Sequence, residues 1–156
     1  MSSSSWKPAE PAVEDARRVL PEIVRAYFAA GRKLSDKSGP KPLHRFRLKT
    51  KRLRYTLEVF EGIYGHGLKR RSASLKTIQT SLGEANDCAV LLKQSGAELP
   101  EKVRTWLADR SGQSRQEFLN YWKDEFDAAG EQKKWEKYIT HSTTRSAARK
   151  KPTATS

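Results

Sequence analysis

The sequence has few of the features that secreted, disulfide-stabilised or membrane-spanning proteins need. Its one cysteine, Cys88, cannot form an intramolecular disulfide, and a lone thiol fits a reducing compartment. No apolar run approaches the roughly 18 residues of a membrane span. The first residues, MSSSSWKPAEP, also lack the apolar core of a signal peptide. We therefore expect a cytoplasmic protein that does not enter the membrane.

Recognisable catalytic and metal-binding patterns are also absent. The three histidines, His44, His66 and His141, are far apart in sequence, and no HExxH or Cys/His pair has metal-ligand spacing. The segment GHGLKRRS does not have the GxxxxGK[ST] spacing of a phosphate-binding P-loop. The spacing of Cys88 places it beside a buried stripe, as a small hydrophobic residue. We therefore predict no metal, no cofactor and no catalytic residue.

The periodicity of the apolar residues predicts an all-α fold. Period-two alternation is absent, whereas apolar residues recur at spacings of three and four. A chain of 156 residues suits one domain. The predicted helices span residues 12–34, 43–64, 68–95 and 100–130, with one more turn at 131–140. Short connections between such helices favour an antiparallel four-helix bundle with a basic surface groove.

Several details of this bundle can be predicted as well. We expect disorder in residues 1–10, a bundle over 11–140 and a disordered basic tail over 141–156. Pro21 predicts a kink or short break in the first helix. The polar segment 109–117 predicts weak packing or an interruption in the fourth. The buried face of that helix is predicted to comprise Val103, Trp106, Leu107, Phe118, Tyr121, Trp122 and Phe126.

Positive charge is concentrated in two parts of the chain. The net charge is +13, of which residues 41–71 contribute +8 and residues 131–156 contribute +5. Residues 72–130 are slightly acidic, with seven bases and nine acids. Such asymmetry indicates an anionic partner.

The stretch Leu43–Tyr64 combines a buried helix face with a row of cations. At about 100° per residue, four basic residues lie beside the apolar stripe, and we call them the inner row: His44, Arg47, Lys51 and Arg54. Three others form an outer row that should face water: Arg45, Lys49 and Arg52. Like charges at these spacings repel, and only Glu58 relieves the inner row. The pattern favours a groove for a polyanion; the alternative is a solvated face whose long side chains cover apolar surface.

Further cations could enlarge this groove. Arg18, Arg25 and Arg32 recur every seven residues on the first helix and could form a second wall, or could pair with Glu14, Asp15 and Glu22. Lys69, Arg70 and Arg71 occupy the first turn of the third helix, where the macrodipole disfavours cations unless an anion binds. Lys76 follows Lys69 by one heptad. His44 could donate a hydrogen bond to a phosphate, or make a structural one.

Two segments resemble the CHAD family, the conserved-histidine α-helical domains. HRFRLKTKRLRYTLEVF is similar to the signature helix of that family, and LKTIQTSLGEAND is similar to its second segment. The resemblance implies an all-helical fold that binds inorganic polyphosphate in a basic channel. By position it implicates His44, Arg47, Lys51, Arg52, Arg54 and Lys76 in binding. Asn86 and Asp87 match the end of the second segment, and Asp87 would orient a motif arginine.

The sequence differs from the family in having one copy of the signature, where two copies in a longer chain are usual. A homodimer that rebuilds the channel and a minimal monomer are both consistent with this difference, and homodimers are the commoner assembly. The full predicted polyphosphate site comprises His44, Arg47, Lys51, Arg52, Arg54, Lys69, Arg70, Lys76, Arg18 and Arg25. Association with polyphosphate granules is a further expectation.

Three other functions compete with non-catalytic polyphosphate binding. A nucleic-acid binder would usually interleave aromatic residues with the cations, and here Tyr55 is the only aromatic residue close to the inner row. A phosphatase or polyphosphate kinase would use His44. An interaction protein with nonspecific charge would depend equally on Arg47 and Arg52.

Overall fold

Over its described residues the chain forms five α-helices, which confirms the predicted all-α class. In the computed structural model, the backbone is described for residues 10–149 and the side chains for residues 13–141. The helices are α1 (Glu10–Arg32), α2 (Pro40–Tyr64), α3 (His66–Ser95), α4 (Glu101–Tyr121) and α5 (Glu131–Arg149). A short 3-10 turn, Gly96–Glu98, precedes α4, and a π-helical turn, Trp122–Phe126, follows it.

The expectation of four helices is wrong in the C-terminal third. The predicted fourth helix ends at Tyr121, and the predicted extra turn is α5, a helix of 19 residues. The left-handed Gly130, with φ 85°, separates the two. Helix α5 continues to Arg149, into the segment for which we expected disorder. Residues 1–9 and 150–156 lie outside the described residues, so the expected disorder there stays a prediction.

Two other local expectations differ from the structure. Helix α1 is continuous through Pro21, so the short break that was one of the two alternatives there is not formed. Helix α4 is not interrupted at its polar centre, because polar side chains there form hydrogen bonds to α3. Arg110 Nε donates to Glu84 Oε1 at 2.6 Å and Ser111 Oγ donates to the Ala85 carbonyl at 3.1 Å.

Helix α3 packs against both α2 and α4, its neighbours in the chain. Gly65 alone joins α2 to α3, and its φ of 79° suits a residue without a Cβ. Arg47 of α2 lies across Gly83 of α3, and Glu84 of α3 pairs with Arg110 of α4. Helix α1 packs against α2 and α5. The most basic helix, α2, therefore packs against both α3 and α1.

An aromatic cluster forms the core between α1, α2 and the C-terminal part of the chain. Tyr27 stacks on Phe46 at a centroid distance of 4.8 Å, and both rings lie against Trp122. The buried Tyr27 hydroxyl is within 2.8 Å of Thr50 Oγ1, which donates to the Phe46 carbonyl at 2.9 Å. This chain of hydrogen bonds satisfies polar groups inside the predicted apolar stripe of α2. It explains why Thr50 is fully buried.

The predicted buried face of α4 is only partly correct. Leu107, Phe118, Trp122 and Phe126 are buried as expected. Val103 and Trp106, in contrast, are exposed, with Trp106 at 62%. The apolar contacts of α4 therefore lie mainly in its second half and in the π-helical turn.

Candidate functional site

Cations from two helices converge on one surface depression along the seam between α2 and α3. Arg47 and Arg54 reach it from α2, and Lys76 reaches it from α3. The depression has a volume of about 570 Å³. We call it the α2–α3 depression, and its lining comprises Arg47, Arg54, Lys76, Gln79, Thr80, Gly83, Glu84, Asp87 and Cys88.

Arg47 lies flat against α3 because position 83 has no side chain. A Cβ at Gly83 would stand 3.3 Å from Arg47 Nε and 3.8 Å from its Cζ. The Nε of Arg47 is buried and has no hydrogen-bond partner among the described residues. A buried donor without a partner is unfavourable. Arg47 is therefore held in position by packing, with hydrogen-bonding capacity left over.

Arg54 is in a similar situation one heptad further along α2. Its side chain is only 17% exposed, and its buried Nε also has no hydrogen-bond partner among the described residues. Glu58 Oε1 lies 3.6 Å from this Nε, which is an ion pair but too long for a good hydrogen bond. The guanidinium also lies over the Tyr55 ring, at 5.1 Å from its centroid. The acid on this face therefore only partly neutralises Arg54.

Two acids line the same depression, but one of them is already paired. The hydrogen bond from Arg110 holds the pKa of the Glu84 carboxyl below its usual value. Asp87 is exposed and forms no ion pair within 4.0 Å with any side chain between residues 13 and 141. The expected pairing of Asp87 with a motif arginine is therefore not formed. Arg47, Arg54 and Lys76 outnumber the one unpaired acid.

The rest of the inner row faces two other surfaces. His44 lines a separate groove of about 830 Å³ at the N-terminal end of α2, which we call the end groove. Its lining comprises Gly39, Pro40, Lys41, Pro42, His44, Arg45, Asn86, Ala89, Val90 and Lys93. Lys51 lies instead with Arg52 on the outward surface of α2, beside the exposed Leu48, Tyr55 and Val59. The outer-row residues Arg45, Lys49 and Arg52 are exposed, as the helical periodicity predicted.

The three cations at the start of α3 are also separated from the depression. Lys69 and Arg70 are exposed and do not line it. Arg71 packs against α5, with its guanidinium 4.2 Å from the Tyr138 ring centroid and 5.5 Å from that of Trp135. Burial lowers the pKa of the Arg71 guanidinium. Its cation–π contacts attach α5 to α3, so Arg71 has a structural role.

The α1 arginines lie in ion pairs. Arg18 pairs with Asp15 at 3.1 Å, while Arg25 pairs across the fold with Glu136 of α5 at 2.7 Å. Neither residue lines the α2–α3 depression. Pairing with Glu14, Asp15 and Glu22 was the alternative to a second groove wall; Arg18 forms such a pair, whereas Arg25 pairs with Glu136 instead.

Some residues important to the site could not be predicted from single motifs. Gly83 lies inside the predicted third helix, where the apolar spacing continues without a break, so the sequence does not reveal its contact with Arg47. The contact of Arg71 with Trp135 and Tyr138 joins segments more than 60 residues apart. No local spacing reveals it.

The depression offers little catalytic chemistry. Cys88 lines its edge, but burial raises the pKa of this thiol and favours the unreactive protonated form. Among the described residues, no group of three or more His, Cys, Asp or Glu side chains is placed to hold a metal ion. None of the described helices is long and apolar enough to cross a membrane.

One family of known proteins matches this chain. The family model described as the CHAD domain matches residues 2–96, which is 95 of the 156 residues. The match covers α1, α2 and α3, and so includes every residue of the α2–α3 depression. No curated protein and no solved structure matches the chain. With more than half of its length matched, the chain belongs to the CHAD domain family.

Proposed function

We propose that this protein binds inorganic polyphosphate in the α2–α3 depression without transforming it. CHAD domains are associated with polyphosphate binding, which supports the choice of ligand. Arg47, Arg54 and Lys76 are the central contacts in this proposal. Polyphosphate oxygens are strong acceptors, and arginine presents its donors in a planar fork that fits them.

A single observation carries the proposal: the Nε atoms of Arg47 and Arg54 are buried without hydrogen-bond partners among the described residues. A solvated face of long side chains would leave these donors in water. Arg47 and Arg54 instead keep donor capacity next to an open depression that Lys76 also reaches. The two Nε atoms are closed to solvent, so an anion with several oxygens would bind the accessible ends of the two guanidinium groups and reduce the repulsion between the cations.

Other predicted residues would extend the binding track beyond the depression. Lys69 precedes Lys76 by seven residues, so both fall on one face of α3, about 10 Å apart along the axis. His44 and Lys51 flank Arg47 on α2 and would meet a chain that leaves the depression. Arg52 and Arg70 are exposed outside the depression and would contribute mainly long-range attraction. The ion-paired Arg18 and Arg25 would contribute least.

The non-catalytic part of the proposal follows from the side chains around the depression. Hydrolysis or transfer of phosphate needs a nucleophile, a general base or a bound metal. Burial raises the pKa of the Cys88 thiol and so favours its protonated form, and His44 lines a different groove. Incubation with polyphosphate should therefore release no inorganic phosphate above a buffer blank.

A homodimer and granule association are additional proposals that binding does not require. In a homodimer, a second depression would lie beside the first and lengthen the track. Analytical ultracentrifugation with and without polyphosphate tests this assembly. A constant monomer mass in both conditions would exclude it.

Calorimetric titration with long-chain polyphosphate at two salt concentrations tests the binding site. The variant Arg54→Ala/Lys76→Ala should bind at least tenfold more weakly at low salt, since hydrogen bonds to charged groups contribute about 1.5–3 kcal/mol each. The slope of the logarithm of the binding constant against the logarithm of the salt concentration should become shallower by about 1.4. Two phosphate contacts are lost, and each contributes about 0.7 to this slope on single-stranded nucleic acid. The control Lys33→Ala/Lys49→Ala removes the same charge from exposed positions outside the depression. Equal losses in both variants would end the proposal.

A further inference from the structure

The end groove differs in character from the α2–α3 depression. It lies where α2 begins, against the last three turns of α3, and is lined by different residues from those of the depression. Its volume of about 830 Å³ is within the range of about 300–1,000 Å³ that is usual for small-molecule sites. The two surfaces can therefore be tested separately.

The charges around the end groove all have one sign. Lys41, His44, Arg45 and Lys93 line it, and no acid does. None of these four side chains has an ion pair or a side-chain hydrogen bond to the part of the chain with described side chains. The first turn of α2 contains no acid either, so the helix dipole adds to the positive potential. The occupant that complements this groove is an anion.

The walls of the end groove are mostly apolar, and polyphosphate has no apolar surface that could pack against them. Pro40 and Pro42 form one side, and Ala89 and the partly exposed Val90 form the other. A polyphosphate chain has only charged or polar oxygens on its surface, so it gains nothing from covering these side chains. An anion with a flat apolar group would bury them and gain the hydrophobic contribution. Asn86 adds an amide that can both donate and accept hydrogen bonds.

We infer that the end groove binds a nucleoside triphosphate, with the base between the Pro42 and Val90 walls and the phosphates at the cationic rim. The base supplies the flat apolar face and a hydrogen-bonding edge for Asn86. The triphosphate supplies the negative charge for Arg45 and Lys93. This site is distinct from the α2–α3 depression, since it uses none of Arg47, Arg54 and Lys76, although His44 would belong both to it and to the extended polyphosphate track.

Calorimetric titration with ATP and with tripolyphosphate, both without divalent metal, tests the inference. Tripolyphosphate carries at least as much charge but no base. ATP should bind at least tenfold more tightly than tripolyphosphate. Val90→Asp should remove this preference, because it places a carboxylate on the apolar wall. Val90 is 40% exposed, so the variant should fold, and Val59→Asp is the control at an exposed site on the outward face of α2. Equal affinities for the two ligands would overturn the inference.

A second pair of variants separates this site from the polyphosphate site. Arg45→Ala/Lys93→Ala should weaken ATP binding at least tenfold while Arg54→Ala/Lys76→Ala leaves it within twofold. ATP binding that is lost only in Arg54→Ala/Lys76→Ala would place the nucleotide in the depression and overturn the inference. Long-chain polyphosphate titrated into the same variants gives an independent readout, so failure of one site does not imply failure of the other.

Discussion

Arg47 and Gly83 fit together across the seam between α2 and α3. A methyl group at position 83 would stand 3.3 Å from Arg47 Nε and 3.7 Å from one of its terminal nitrogens. The first of these contacts is tighter than most van der Waals contacts in proteins. The glycine thus fixes how closely the guanidinium approaches α3, and thereby its position in the depression.

Replacement of Gly83 by alanine should weaken polyphosphate binding severalfold. The added methyl group would displace the Arg47 guanidinium by a few tenths of an ångström. Its hydrogen bonds to phosphate oxygens would weaken, because their strength depends on distance and angle. Gly112→Ala in α4 is the matched control, because its Cβ would meet nothing within 4 Å. That control should raise the free energy of unfolding by about 0.4–1 kcal/mol and leave binding unchanged. A Gly83→Ala variant with unchanged affinity would show that the exact position of Arg47 does not matter.

Arg47→Ala should reduce polyphosphate affinity more than Arg52→Ala does. Both changes remove one positive charge from α2, but only Arg47 faces the depression, while Arg52 is exposed on the outward surface. We expect a loss of about tenfold or more for Arg47→Ala, as for a lost charged hydrogen bond. For Arg52→Ala we expect less than threefold. Calorimetry at fixed salt measures both, and equal losses would favour binding by nonspecific charge.

The sequence predicted the helices better than it predicted the groove. Periodicity located α1, α2 and α3 to within a few residues, because each buries one continuous apolar stripe. The helical wheel also separated the exposed outer row correctly. It could not assign His44, Arg47 and Lys51 to three different surfaces. That assignment depends on where α3 crosses α2, which the sequence of α2 alone does not contain.

The errors near the C-terminus have a similar physical cause. The polar centre of α4 looks weakly packed in sequence, yet Glu84 and Ala85 of α3 supply partners for its polar side chains. Contacts between distant parts of the chain also explain α5, for which the sequence predicted only a single turn. Trp135 and Ile139 are buried, and Arg71 of α3 contacts Trp135. These contacts come from tertiary packing, which local propensity does not report.

Arg71→Ala should destabilise the fold by about 1–3 kcal/mol. The guanidinium contacts the Tyr138 and Trp135 rings and donates to the Gly67 carbonyl at 3.2 Å. Its removal takes the cation–π contact with α3 away from both rings of α5. Urea unfolding at pH 7 measures the loss. The neighbouring exposed Arg70→Ala should change the free energy of unfolding by less than about 0.5 kcal/mol, and an equal effect in both variants would contradict a specific contact.

The Glu84–Arg110 pair should make part of the stability depend on acidity. The hydrogen bond from Arg110 holds the pKa of Glu84 below its ordinary value of 4.5. A carboxyl with a lowered pKa in the folded state stabilises the fold above its unfolded-state pKa. This contribution disappears as the pH falls through the lowered value.

Glu84→Gln should therefore be less stable than the parent chain at pH 7, and the difference should shrink progressively below about pH 4.5. Thermal unfolding across this range measures it, with the exposed Glu98→Gln as the control. A difference that stays constant down to the acid limit would show that the charge of Glu84 is not what joins α3 to α4.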